Sequence, residues 1–551
     1  MSIKMNKDMR LGQIETRIKR HAYLIEIITL LLYVCALILI MHYHEPRYDE
    51  AQAWLIARGA TIKELLTSIT HYEGHPPFWF LILMPFAKIG VPFEIGLKAI
   101  NFTFVTVAMG IFIFKAPFNR FIRCTIPFTY FFFYQYGVIS RPYSMMMLGF
   151  VLSALMYKER NEKPYRFTAA LCVICGASAY GMVIAAGISL VWLWEIFGKS
   201  ISLDKIKIFI KSKIFSAIVF LFIFNVLILL CIYPYPDAYG IAVNQKNSYL
   251  AMLFYMFFIA PAEAIFFNGL SVLGNKGGVS TSHLIYLFII GYILNIALFV
   301  TVKRFKKLAL FIVPYCLFAV FAGKVYFWYH HLGIIAMFYM FLLWCCFDDK
   351  KLIYKSTEKK YLTYMGGVLA IIAIATSIYA SAAASFNDIT LNYGTGREAS
   401  EFINDNKLDH LTILAAWKII NPDEKSYDYN AVLGVDESAY FDKNIFYNLN
   451  YGLNNKCYLT HKLDMDGNYT KSLIKNNYPD VLLGTSDSTY TFGAEINMDD
   501  FVLVKSFYGN TIWKASTIED TEFIYIRKDL LKNYPNLKPL NLEEEKVHKI
   551  G

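Results

Sequence analysis

The chain has 551 residues, 56% of them hydrophobic and 17% aromatic, with 17% charged and a mean hydropathy of +0.40. So much apolar side chain with so little charge excludes an ordinary soluble globular protein and a disordered one. The net charge of +10 divides unevenly: residues 1–384 carry 36 Lys and Arg against 18 Asp and Glu, residues 385–551 carry 17 against 25, and the positive charge lies in short loops, a pattern of membrane topology rather than of nucleic-acid binding.

A run of about 20 apolar residues, rising about 1.5 Å each, matches a hydrocarbon layer of about 30 Å. The first such run, Leu24 to Met41, follows Arg17, Lys19 and Arg20. It is too long for a signal-peptide core and lacks a small-residue cleavage site, so it predicts a retained anchor. Eleven spans are predicted, at 22–42, 94–114, 124–139, 144–157, 167–179, 182–197, 214–233, 283–302, 308–323, 332–347 and 361–384. Basic clusters at Lys115–Arg123, Lys158–Arg166, Lys199–Lys213, Lys303–Lys307 and Lys350–Lys360 place five loops and the N-terminus in the cytoplasm. An odd number of spans carries the tail to the other side. The apolar run 249–271 contains Pro261 and Glu263, and counting it would turn Lys303–Lys307 outward. It is therefore assigned to an external interfacial or re-entrant segment.

Two external regions are large. The first, about 43–93, contains Thr61-Ile62-Lys63-Glu64, a capping box that starts a helix. Ile62, Leu65, Leu66 and Ile69 then form one apolar stripe, which suits a helix lying on the membrane surface or one packed on a neighbouring element. The second is the tail, 385–551. It opens with another capping box, Thr395-Gly396-Arg397-Glu398, and strands are predicted at Leu411–Leu414, Asp480–Leu483, Phe501–Val504 and Phe523–Ile526. At this length it can bury its own core as a separate α/β domain. Eight of the nine cysteines lie in or beside apolar runs and only Cys457 is in the tail, which excludes a disulfide scaffold. The predicted fold is mainly α: a polytopic helical membrane protein of about eleven spans, 1–384, with an extracytoplasmic α/β domain, 385–551.

Four short motifs carry candidate chemistry. Asp49-Glu50 directly follows the first span, and Ala51, Trp54, Leu55 and Ile56 suggest that the pair opens a helix. A carboxylate there can take a proton from a hydroxyl or coordinate a divalent metal. Acids at a helix start are also favoured by the dipole alone. In Glu73-Gly74-His75-Pro76-Pro77 the prolines hold His75 at a helix entrance, where anions bind; an interfacial His in a Pro-defined turn is the plainer alternative. Arg141-Pro142-Tyr143 places a guanidinium where it can neutralise a phosphate, or simply snorkel to the interface. Tyr329-His330-His331 offers two imidazoles. Adjacent helix residues do not share a face, so a phosphate contact suits them better than a metal pair, with interfacial packing as the alternative.

A first span ending in Asp49-Glu50, then a surface helix, then His75-Pro76-Pro77 and an aromatic run, with Arg141 after a later span, resembles the GT-C superfamily of membrane glycosyltransferases. The likeness is to the bacterial protein-O-mannosyltransferase group and to aminoarabinose transferases, and it covers the first four spans best. It implies inverting transfer of a sugar from a polyprenyl-phosphate carrier outside the cytoplasm. It makes Asp49 the catalytic base, with Glu50 beside it, and puts His75 and Arg141 on the donor phosphate. Tyr143, His330 and His331 join these two as substrate-binding candidates. Aminoarabinose transferases usually carry Lys-Pro-Pro where His75-Pro76-Pro77 stands. The stretch 234–282 is too short for the lectin-like domain of eukaryotic protein mannosyltransferases. No second acidic pair accompanies Arg141, so no metal is obligatory, although a divalent ion remains chemically possible. The expectation is a plasma-membrane glycosyltransferase whose acceptor is an envelope glycan, lipid or protein. Its rivals are a transporter or lipid-linked-sugar flippase, and a non-catalytic envelope-assembly protein.

Overall fold

The computed structural model describes residues 23–198, 202–238, 248–266, 280–348, 358–416, 433–449, 456–461, 467–484, 495–513 and 516–541. The basic stretch Arg17–Arg20 and the cluster residues Lys199, Lys350, Lys351 and Lys355 lie outside them. The longer helices are α1 (Leu24–Tyr43), α2 (Tyr48–Gly59), α3 (Phe78–Lys88), α4 (Phe93–Lys115), α5 (Tyr143–Met156), α6 (Pro164–Ala177), α7 (Ala179–Phe197), α8 (Lys213–Ile232), α9 (Tyr249–Ile265), α10 (Thr281–Arg304), α11 (Leu308–Lys324), α12 (Leu332–Phe347), α13 (Glu358–Thr390) and α14 (Gly396–Asp405).

Among the described residues seven helices, not eleven, are long and apolar enough to cross a membrane: α1, α4, α7, α8, α10, α12 with the turn before it, and Gly366–Thr390 of α13. The apolar helices α3, α6, α9 and α11 are shorter. Large apolar side chains face outward from the outer helices; Phe222 of α8 is 67% exposed and Tyr286 of α10 63%. Such surface is costly in water and neutral against lipid tails. Helix α12 is the opposite case, enclosed along nearly its whole length and forming the axis of the bundle.

The segment predicted as a span at 124–139 departs most from expectation. It is a 3₁₀ turn at Ile126–Phe128 followed by a π-helix at Phe131–Val138, every residue of which is buried. Tyr33 of α1 meets Phe128 and Phe133 edge-on, each with centroids 5.7 Å apart. The run is apolar because protein surrounds it, and hydropathy alone does not separate that cause from lipid exposure.

The described part of 249–271 is α9; Met252, Tyr255, Met256 and Ile259–Ala264 are buried against the bundle, while Leu250 and Phe254 face outward. Pro261 has no N–H for the Phe257 carbonyl, and the helix opens into a π-turn at Tyr255–Ile259. The Asn295 amide of α10 donates to that Phe257 carbonyl, and the Tyr315 hydroxyl of α11 donates to the Met256 carbonyl at 2.6 Å. A broken helix is thus re-satisfied by its neighbours. Helix α10 approaches so closely that a Cβ at Gly291 would stand 1.8 Å from the Phe258 carbonyl oxygen.

In the first loop the capping box forms as predicted: Thr61 Oγ1 accepts from Glu64 N at 3.2 Å and Glu64 Oε2 from Thr61 N at 2.8 Å. The helix then widens to a π-turn at Leu65–Ile69, which buries Leu65 and Ile69 and leaves Ile62 and Leu66 exposed. It is packed on protein: Thr70 Oγ1 donates to the Cys231 carbonyl at 2.8 Å, and the Tyr235 hydroxyl donates to the Thr67 carbonyl at 2.8 Å.

The tail holds a four-stranded mixed sheet of order β1-β2-β4-β3, with β1 Ile413–Ala416, β2 Val481–Gly484, β3 Phe501–Trp513 and β4 Ser516–Arg527. Strands β1 and β2 are parallel and the rest antiparallel, with Leu482 opposite Leu414 on one side and Tyr525 on the other. One face of the sheet, with Leu414, Leu482, Phe501 and Tyr525, packs on Ile474 and Ile496. The other face, with Ile413, Val481, Leu483, Ile524 and Ile526, shares a single core with Trp54, Leu55, Trp79 and Leu83 of the first loop. The tail therefore does not bury a core of its own on that side. Its predicted capping box also does not form; Thr395 makes no cap, and the N–H of Arg397 donates to Glu45 of the membrane part at 2.7 Å. A carboxylate from outside takes the helix N-terminus that Glu398 was expected to close.

Replacing Gly291 by Ala should destabilise the bundle by about 2 kcal/mol or more, because backbone must move to admit the methyl group. A lower unfolding temperature in detergent checks this.

Candidate functional site

Helix α1 ends at Tyr43 and the chain turns through His44–Arg47 into α2. Neighbouring residues on a helix project about 100° apart, so Asp49 and Glu50 part company. Glu50 is 2% exposed and turns inward. Its Oε1 accepts from the Ser140 N–H at 2.6 Å, and its Oε2 accepts from the Arg47 N–H at 3.2 Å, which caps α2. Asp49 turns to the opening and its Oδ2 pairs with Arg141 Nη1 at 2.9 Å. Of the two acids singled out in the sequence, Glu50 is buried and bound to backbone amides, and Asp49 is the partly exposed one, paired with Arg141.

Behind Glu50 stands His44, fully enclosed. Its Nδ1 is 2.9 Å from Asp388 Oδ2 near the end of α13, and its Nε2 is 3.4 Å from Glu50 Oε2. The Tyr134 hydroxyl donates to the other Asp388 oxygen at 2.8 Å. Burial by itself would push the imidazole down. The charges of Asp388 and then Glu50 outweigh it and raise His44 to about 9. As an imidazolium it donates from both nitrogens, which ties the last membrane helix to the start of α2.

Arg141 leads into α5, its guanidinium 5.5 Å from the centre of the Tyr143 ring. Tyr143 stacks on Tyr136 with centroids 4.9 Å apart, and its hydroxyl is enclosed without a hydrogen-bond partner among the described residues. The His330 and His331 rings lie 6.2 and 6.0 Å from Tyr143. Part of their role is structural: Trp328 N–H donates to His331 Nδ1 at 2.9 Å, and Tyr136 donates to the His330 carbonyl at 2.6 Å. His75 does precede a helix start, at Phe78. Its Nδ1 is enclosed without a partner among the described residues. Enclosure, reinforced by the charge of Arg141, pushes this imidazole down to about 4, so it meets an anion as a neutral ring and not as a cation. Arg141 supplies the positive charge.

All seven predicted residues thus gather around the ends of α1, α5 and α12 and the His-Pro-Pro turn. Sequence reasoning did not single out His44, Tyr326, Asp388 or His461, and it gave Glu73, the first residue of the Glu-Gly-His-Pro-Pro motif, no role of its own. The fields of Asp49 and Arg141 both reach Tyr326, and those of Asp49 and His461 both reach Glu73. One faint signal was available, since Asp388 is a carboxylate placed just past the last predicted span, where a charge beside an apolar run calls for a partner. His461 gave none. Among the described residues no three His, Cys, Asp or Glu side chains group as a metal site. A cavity of about 720 Å³ lies elsewhere, between Trp54, Phe93, Arg397 and Tyr440, and none of the seven lines it.

No known protein-family model matches the chain, and no curated protein matches it.

A His raised from 6.5 to about 9 on folding adds stability that is whole below pH 6.5 and fades as pH climbs through 9. Between those limits wild type should lose roughly 3 kcal/mol that His44→Gln never had. Unfolding midpoints of both proteins across that range measure the difference.

Proposed function

We propose that this chain is a multi-pass membrane glycosyltransferase of GT-C type. It moves a sugar, with inversion, from a polyprenyl-phosphate carrier to a hydroxyl acceptor at the outer face of the plasma membrane. The single observation that carries the reading is the Asp49–Arg141 pair, a carboxylate 30% exposed beside a guanidinium 10% exposed. An inverting displacement needs that combination of a base for the incoming hydroxyl and a fixed cation for the departing phosphate. The acceptor oxygen gives its proton to Asp49 and bonds to the anomeric carbon. The bond from that carbon to the phosphate oxygen breaks, and the electron pair leaves on the polyprenyl phosphate, which Arg141 neutralises. His75 and Tyr143, each with an enclosed unpartnered polar atom, are available to hydrogen-bond the donor. The eleven membrane passages expected from the sequence and an extracytoplasmic tail belong to this reading.

One feature favours a transporter instead. The Tyr255 hydroxyl donates to the buried carboxylate of Glu263 at 2.5 Å within the interrupted helix α9, and buried acids in broken helices mark transport paths. Lipid-linked-sugar flux in proteoliposomes without glycosyl transfer would establish that alternative.

Asp49→Asn should lower transfer from a suitable polyprenyl-phosphate sugar by about 100-fold or more while leaving the unfolding temperature near wild type. Arg141→Lys should cost tenfold or more, since an ammonium does not reproduce the guanidinium fork. A panel of radiolabelled donors presented to purified protein supplies the assay, and near-normal turnover in Asp49→Asn removes the base assignment.

A further inference from the structure

Besides Asp388 and Tyr393, which meet His44, the tail reaches the candidate site through the segment Lys456–His461. Gln52, one helical turn after Asp49, grips it with both ends of its amide: Leu459 N–H donates to Gln52 Oε1 at 3.0 Å, and Gln52 Nε2 donates to the Leu459 carbonyl at 2.7 Å. The same nitrogen is 2.9 Å from Glu73 Oε1. At the end of the segment His461 Nε2 stands 3.2 Å from the Tyr48 hydroxyl and 3.9 Å from Glu73 Oε1. The Lys456 ammonium pairs with Glu64, and Tyr458 packs over Gly59. The segment is therefore clamped to the first loop over its length, and it sets an imidazole beside the residue that precedes Asp49. His461 is also felt electrostatically by His75 and Glu73, and Asp49 by the same two, so the four groups share one neighbourhood.

Arg141, Tyr143 and the His330-His331 pair lie on the membrane-bundle side of Asp49. On the side of the tail the groups are the His461 imidazole, the Tyr48 phenol and the Glu73 carboxylate, with the buried Gln52 amide fully used in holding the segment. They combine donors and acceptors at several angles, the equipment for recognising a polyol and a poor match to an apolar chain. We infer that Lys456–His461 is the acceptor-side wall of the site and that His461, a positioning residue beside Tyr48 and Glu73, selects a polyhydroxylated glycan acceptor presented from the water. This rests on the glycosyltransferase reading above.

The test uses the full chain in lipid nanodiscs and a panel of hexose and N-acetylhexosamine oligosaccharides of four to six units, titrated by tryptophan fluorescence. Wild type should bind at least one of them. His461→Ala should weaken that binding tenfold or more, and undecaprenyl-phosphate binding by less than threefold. His461→Gln, whose amide nitrogen can stand where Nε2 does, should recover most of the loss. Unfolding temperatures of both variants show whether the tail stays docked, and Gln52→Ala gives the reference for a detached wall. The inference is overturned if no oligosaccharide binds at millimolar concentration, if His461→Ala binds as wild type does, or if oligosaccharide and lipid phosphate weaken together. Glycosyl transfer by wild type is scored separately, so oligosaccharide binding without transfer sinks the enzyme reading and leaves the wall in place, and transfer without oligosaccharide binding does the reverse.

Discussion

Everything at this site depends on how Glu50 is held. Its carboxylate accepts from the Ser140 and Arg47 backbone amides and faces the His44 imidazolium, which is itself held by Asp388. Three remote stretches of chain meet in those contacts: the turn from α1 into α2, the turn after the π-helix and the end of α13. A buried carboxylate is costly unless every lone pair is used. Its satisfaction therefore fixes the rotation of α2 about its axis, and that rotation sends Asp49 outward to Arg141. Of two adjacent acids, one is spent on geometry so that the other can be presented.

The same logic explains why polar groups collect at helix ends. Apolar helices have no use for charge along their length, and a charge placed there must find a partner. At the end of a span the chain has backbone donors, turns and water to work with. His44, Ser140, Arg141 and the His330-His331 turn all occupy such positions, next to the ends of α1, α5 and α12. The tail extends the arrangement. Glu94 of α4 binds Arg397 through both oxygens at 2.8 Å, and Glu45 receives the N-terminus of α14. Across this contact the first loop and the tail are joined by charge at the rim and by a shared apolar core beneath.

The π-turns at Leu65–Ile69, Phe131–Val138 and Tyr255–Ile259 occur where the chain bends around a neighbour. An extra residue in a turn releases a carbonyl, and the structure supplies donors for those that are freed. Asn295 and Tyr315 do so for α9. Irregular backbone is tolerated in the bundle because protein groups, not lipid, surround it.

Composition and periodicity were enough to establish a mainly helical protein with many apolar helices, because the 20-residue apolar run is a local property of the chain. The capping box at Thr61-Glu64, the helix start after Pro77 and the four strands of the tail were legible for the same reason; each depends on a few consecutive residues. The acids, the Arg and the histidines of the site were picked out by their place beside apolar runs. Tertiary structure alone decided the rest. It folded the aromatic run at 131–138 into a wholly buried π-helix, turned Glu50 away from Asp49, and used Glu45 in place of Glu398 at a helix start. It also brought Asp388 and His461, hundreds of residues away, to the same few ångströms as α2. Local sequence carries the direction a backbone takes, whereas burial and partner choice depend on which distant surfaces meet, and no spacing along the chain records that.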